Sequence, residues 1–266
     1  MQFAQPPVHD RPAHRVTDGL RRRSLTVAQW LRLPGTATTP ECASIRYWDR
    51  QPSHADGRDL APVLFVHGYA GTEHIWRPLR SALTDAGFGH LVALRYNAFR
   101  ADIHQIADWL VLQARRSMEA TGVARVHLIG HSMGGLVVRD AVQNRGLRGL
   151  TNTAITIATP HTGTALARLV PGPAARQMQP GSQFLIDLER VRTDGRTRWV
   201  IVHGGADRVV RAGAETFGAA GTDVLAMRES AAGHGSIARH PVVVSGIVSA
   251  LLSSERDAAP GFSLAA

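Results

Sequence analysis

The sequence predicts a layered α/β fold in which a mostly parallel sheet is flanked by helices. Six short apolar runs carry this reading: APVLFVHG (61–68), HLVALRY (90–96), VARVHLIG (123–130), TNTAITIATP (151–160), TRWVIVHGG (197–205) and TDVLAMRES (222–229). They are continuous rather than alternating, the pattern of strands buried on both faces. Helical patterns fill the gaps between them, and at 266 residues the chain suits one α/β core.

Taken in order, residues 1–41 are rich in proline, arginine and threonine and read as a partly irregular N-terminal extension before a single main domain over 42–266. ASIRYWDR (43–50) alternates, which predicts an antiparallel edge strand. The clearest helix spans 102–121. Asp102 and Gln105 are spaced as a capping box, Ile103, Ile106, Ala107, Leu110, Ala114 and Met118 share one face, and Gly122 closes it. Weaker patterns predict helices over about 74–86, 133–145 and 241–253. Residues 161–198 are too many for a plain crossover and are interrupted by Pro171, Pro173 and Pro180. They are expected to form a small cap whose second half makes one or two helical turns over a modest pocket.

The net charge of +9 is all arginine, since the chain has no lysine. These arginines are scattered in ones and twos, which suits solvated helix faces better than a nucleic-acid footprint. No nucleic-acid partner is expected. The one cluster, LRRRSLTVAQWLRL (20–33), has irregular apolar spacing and reads as a segment packed on the body. Cys42 is the only cysteine, so neither an intramolecular disulfide nor a cysteine metal cluster can form. No cofactor and no metal are expected. No apolar run reaches the roughly 18 residues of a membrane span, and the N-terminus lacks an apolar h-region. The expected location is therefore cytoplasmic, secretion of a processed form being left open.

The chemistry is concentrated in VHLIGHSMGGLVVRD (126–140). Gly130-His131-Ser132-Met133-Gly134 follows a strand and opens a helix, the context in which G-x-S-x-G presents a nucleophile. Ser132 then needs a tight, strained turn, and a Cβ at either flanking glycine would strike the neighbouring strand or helix. A serine hydroxyl also needs a base oriented by an acid. Asp207, just past the strand in VIVHGGADRVV, is the candidate acid, and His234, in the glycine-flanked loop of ESAAGHGSIARHP, is the candidate base. All three fall at carboxyl ends of strands. Asp187, Asp194 and Asp223 are weaker acids. His240, directly before Pro241, is the main rival base, while His131, His161 and His203 read as structural. The backbone N–H groups of Tyr69, in FVHGYAGTEHIW, and of Met133 are the candidate oxyanion donors. His67 would fix that loop.

Together, HGYAG, GHSMGG, ATPHTGT, HGGADRVV and GHGSI resemble the α/β-hydrolase superfamily, and within it the bacterial triacylglycerol lipase and esterase group, over about residues 43–254. The resemblance implies a triad of Ser132, Asp207 and His234 with Tyr69 and Met133 as oxyanion donors. It also implies cofactor-independent cleavage of small-molecule carboxylic esters through an acyl-enzyme, at or away from a lipid interface. Secreted members of the group commonly carry a signal peptide and often a disulfide, and neither is visible here. The alternatives are acyl transfer by the same triad and a non-catalytic ligand-binding member of the fold. The broken apolar pattern of 161–198 favours short to medium acyl chains, roughly four to ten carbons, over a large interfacial lid.

Overall fold

The computed structural model describes residues 43–48, 60–191, 195–210 and 224–258. The N-terminal extension 1–41, with the 20–33 cluster, lies outside them. Among the described residues seven strands form one sheet: β1 (Ser44–Tyr47), β2 (Val63–Val66), β3 (Leu91–Arg95), β4 (Val126–His131), β5 (Thr151–Ile157), β6 (Arg198–Gly204) and β7 (Val224–Glu229). Their order is β1-β3-β2-β4-β5-β6-β7. Only β1 runs antiparallel, pairing with β3 at the edge as its alternating sequence predicts. The remaining pairs are parallel.

The apolar runs are continuous because each strand serves two cores. Leu64, Val66, Val92, Leu94, Leu128, Ala154 and Ile201 belong to one buried cluster, and Val63, Phe65, Leu91, Ala93, Ile129, Ile155 and Val202 to the other. The alternation of side chains along a strand thus divides one apolar run between two layers. The first layer is closed by α2 (Ile103–Thr121), α3 (Met133–Asn144) and α5 (Gln183–Arg190), the second by α1 (Arg77–Asp85) and α6 (Pro241–Asp257), with α4 (Pro173–Gln177) lying between α2 and α5 in sequence.

Local sequence explains where these helices start. The Asp102 carboxylate accepts the Gln105 N–H at 2.8 Å and the Gln105 side chain accepts the Asp102 N–H at 3.1 Å, completing the capping box of α2. Gly122 ends that helix at φ 70°, where a residue with a Cβ is strained. Prolines open α1, α4 and α6, where a missing N–H costs nothing. The buried ring of His127 in β4 meets Glu255 of α6 at 2.7 Å, pinning the last helix to the sheet.

The 161–191 segment contains a 3-10 turn (Ala165–Arg168), α4 and α5. Its second half forms the two turns of α5, which pack on α3. Phe184, Leu185 and Leu188 are buried in the same cluster as Leu136, Val137 and Val138 of α3. The wholly buried guanidinium of Arg139 donates to the Leu188 carbonyl at 3.2 Å and to the Glu189 carboxylate at 3.1 Å. Gln143 adds a bond to the Val191 carbonyl at 2.7 Å. Arg139 and Gln143 sit in the C-terminal half of α3, whereas Ser132 is the residue before its first turn. An amphipathic two-turn helix is stabilised by burying its apolar face, here on α3. A hollow of about 430 Å³ lies beside α5, lined by Asp102, His104, Arg176, Phe184 and Asp187 among others, and touches none of Ser132, Asp207, His234, Tyr69 and Met133.

Candidate active site

The turn between β4 and α3 holds Ser132 at φ 55° and ψ −124°, a conformation that non-glycine residues adopt only under constraint. The constraint is backbone crowding. A Cβ on Gly130 would lie 2.4 Å from the Gly134 carbonyl oxygen, and one on Gly134 would lie 2.1 Å from the Val66 carbonyl oxygen. A Cβ on Gly135 would lie 1.9 Å from Thr159 Oγ1. The Ser132 N–H donates to the Ile157 carbonyl at 2.8 Å, and its own carbonyl accepts the Gly135 N–H at 3.0 Å.

His234 Nε2 lies 2.9 Å from Ser132 Oγ, and His234 Nδ1 lies 2.8 Å from Asp207 Oδ2. A carboxylate oxygen only accepts, so Nδ1 carries the proton and Nε2 is left bare to accept that of Ser132. The other carboxylate oxygen of Asp207 accepts the N–H groups of Val209 at 2.8 Å and Val210 at 3.0 Å. Burial raises the Asp207 carboxyl, but the bonds from His234 and from these two N–H groups outweigh it and hold the group below the usual carboxylate range. Three strand ends, those of β4, β6 and β7, thus deliver three side chains read from sequence to one line of hydrogen bonds.

The exit of β2 runs against Ser132: a Cβ on Gly68 would lie 2.9 Å from Ser132 Cβ. Tyr69 follows, and Met133 is the first residue of α3, where N–H groups have no partner within the helix. Among the described residues neither the Tyr69 nor the Met133 N–H meets an acceptor. Such donors, one at the start of a twelve-residue helix, suit a developing oxyanion. His67 holds this loop as expected. Its Nδ1 donates to the Gly68 carbonyl at 2.8 Å and its ring stacks on Tyr96 at 4.1 Å. The Tyr96 hydroxyl donates to the His67 carbonyl. Burial keeps the His67 imidazole below its ordinary pKa, against the opposing pull of its backbone bond.

The rival residues are placed elsewhere. His240 is the N-cap residue of α6 with Nδ1 3.8 Å from Glu229. His161 is buried with Nε2 3.1 Å from Thr156 Oγ1. Asp187 is exposed and pairs with Arg190 at 3.3 Å, and Asp194 and Asp223 lie outside the described residues. Sequence reasoning missed Tyr96, the Arg139 staple and Glu73. Glu73 is a buried carboxylate that holds Arg46 of β1 and Arg95 of β3 at 3.3 Å each, just after the glycine loop. The only signal for Arg139 was a charged residue on an otherwise apolar helix face.

Comparison with known proteins bears on the fold. The lipase BlEst2 of Bacillus licheniformis in its mature form superposes with a TM-score of 0.66 at 16% identity, over 80% of this chain and 99% of that one. XC6422 from Xanthomonas campestris, described as an α/β serine hydrolase without a lid, superposes with a TM-score of 0.53 at 18% identity, over 83% of this chain and 91% of that one. The chain has the α/β-hydrolase fold. The family model of the PGAP1-like α/β domain matches residues 88–168. Curated triacylglycerol lipases of Pseudarthrobacter phenanthrenivorans and Burkholderia plantarii are each 34% identical to it over 119 residues, 41% of this chain. The matched part is 36% and 32% of those lipases, so the chain spans about a third of the length of the curated relatives it matches. Among the described residues no helix is long and apolar enough to cross a membrane.

Proposed function

We propose that this protein is a carboxylic ester hydrolase acting through an acyl-enzyme intermediate. The observation that carries the proposal is the unbroken relay from Ser132 Oγ to His234 at 2.9 Å and from His234 to Asp207 at 2.8 Å. His234 Nε2 takes the hydroxyl proton as Oγ attacks the ester carbonyl, and the Asp207 carboxylate stabilises the imidazolium. The Tyr69 and Met133 N–H groups receive the oxyanion. The imidazolium returns the proton to the departing alkoxide, the acyl-enzyme remains, and a water activated by the same imidazole releases the carboxylic acid. The lipase names of the partial relatives support an ester as substrate.

The surroundings of the relay refine the substrate. Phe99, Leu166, Leu169 and Val170 are exposed apolar residues. They adjoin the glycine loop, since the Tyr69 ring packs on Phe99 at 4.8 Å and the Tyr69 hydroxyl donates to the Pro171 carbonyl. With α5 stapled to α3 by Arg139 this strip stands open, which supports short to medium acyl esters met in solution or at a lipid surface without a moving lid.

Fluorophosphonate labelling tests the core of the proposal: the reading requires one adduct, on Ser132, and its absence in the folded wild-type chain would overturn it. A series of p-nitrophenyl esters from two to sixteen carbons tests the finer reading. Specificity constants should peak between roughly four and ten carbons, each methylene up to the peak adding about 0.8 kcal/mol at most. A steady rise to sixteen with activation at an oil–water interface would show a lid. Products measured with an added alcohol acceptor separate hydrolysis from acyl transfer.

A further inference from the structure

The base of the relay stands on a loop anchored on either side, by the Ala206 N–H on the Ala232 carbonyl at 3.2 Å and the Ile237 N–H on the Gly233 carbonyl at 3.1 Å, but open at the two glycines beside His234. β4 and β7 are separated by β5 and β6 in the sheet, so the chain leaving β7 must return across about 14 Å at ordinary strand spacing to bring His234 to Ser132. The loop that does so is glycine-flanked on both sides of His234. A Cβ on Gly235 would meet nothing within 4 Å and one on Gly233 would meet its nearest atom at 3.7 Å, so packing does not confine the loop there. One contact ties it to the strand that carries the nucleophile. His131 Nε2 lies 2.9 Å from the His234 carbonyl oxygen, which among the described residues has no other partner.

We propose that His131, the last residue of β4, is a positioning residue that holds His234 over Ser132 by donating its Nε2–H to the His234 carbonyl. The inference rests on the ester-hydrolase reading of the same site. A carbonyl only accepts, so the proton sits on Nε2 and the neutral ring keeps Nδ1 bare. The ring is 6% exposed, lies edge-on to Trp76 at 6.5 Å and stands 5.1 Å from the His234 ring. Its other charged or titratable neighbours are Asp207 and His67. Burial, and then the nearby His234, push the His131 imidazole down to about 4. The tether is therefore neutral wherever His234 works, and places no second positive charge beside an imidazole that must itself become charged. A lysine or arginine could make the same bond but would oppose that step; an amide could make it without charge.

The experiment compares His131→Gln, which keeps a neutral donor, with His131→Phe, which keeps the bulk without one, on soluble p-nitrophenyl butyrate. Phe should lower kcat by about 10- to 100-fold with KM within about twofold, and Gln should restore it to within about threefold of wild type, as expected when geometry rather than binding is lost. Wild-type kcat in the Phe variant, or an equal loss in both, would overturn the proposal. Should either variant fail to fold, nitrogen-15 NMR of the wild-type histidines decides: His131 must show the neutral Nε2–H tautomer at pH 6, and a charged ring or the Nδ1–H tautomer would sink the idea. That measurement stands whether or not Ser132 takes up a fluorophosphonate, so failure of the ester-hydrolase reading is told apart from failure of the tether.

Discussion

Two glycine-flanked stretches of this chain look alike in sequence and are held in place by different physics. In Gly130-His131-Ser132-Met133-Gly134 the glycines are obligatory, because their missing Cβ atoms would overlap backbone at 2.4 and 2.1 Å. In Gly233-His234-Gly235 they are not, because the space beside them is open and neither glycine has a positive φ. Ser132 is placed by backbone that cannot be elsewhere. His234 is held by three hydrogen bonds, from His131 to its carbonyl, with Asp207 at Nδ1 and with Ser132 at Nε2, on a loop anchored by the buried Ala232 and Ile237. A glycine pattern therefore signals a tight turn only when neighbouring elements crowd it.

The largest effects belong to the reacting groups in both stretches. Ser132→Ala and His234→Ala should each lower kcat by about four orders of magnitude or more on a soluble ester with the thermal unfolding midpoint preserved, whereas His240→Ala should retain most activity. If His240→Ala were inactive and His234→Ala active, the base would be reassigned. Next comes Gly134→Ala, which drives a methyl group into the Val66 carbonyl, an atom that cannot move without the strand. It should cost about 3 kcal/mol and lower Tm by roughly 6–12 °C. An unchanged Tm would show that the elbow is less crowded than described.

Gly235→Ala makes the opposite case. With open space and ordinary backbone it should raise stability by about 0.4–1 kcal/mol through the unfolded chain, with kcat within about twofold of wild type. A destabilised or inactive variant would erase the contrast between the two stretches. The smallest effect lies in a pair that neither stretch uses. His104 Nδ1 meets the buried carboxylate of Asp140 at 2.8 Å. That bond raises the His104 pKa against the opposing effect of burial. Burial pushes Asp140 up, and bonds from His104 and Asn144 bring it below its usual range. The His104 contribution is full below an ordinary imidazole pKa, about 6.5, and fades as pH rises through its raised folded value. The Asp140 contribution fades only as pH falls through its lowered value, so pH 5 lies within both windows. His104→Gln should thus lower Tm more at pH 5 than at pH 9. Since the His104 side chain is 41% exposed, solvent screening keeps the difference to about a degree or two. An equal shift at both pH values would remove the charge from the account.

Much of this was legible before any coordinates. Period and composition determined the strands and the main helices, because a run buried on both faces and a capping box are statements about a few consecutive residues. Ser132, Asp207 and His234 were readable for a related reason: each sits where a strand ends, and the parallel order of the sheet sends those ends to one edge. Local sequence could not decide contacts between distant segments. The fate of the 161–191 segment turned on Arg139 and Gln143 of α3 binding the Leu188 and Val191 carbonyls. The anchoring of the glycine loop turned on Tyr96, and of the base loop on His131, 103 residues before the carbonyl it holds. Hydrophobic pattern is a one-dimensional signal that survives in sequence. A single directional hydrogen bond between remote residues leaves no periodic trace, and only the folded arrangement decides whether it forms.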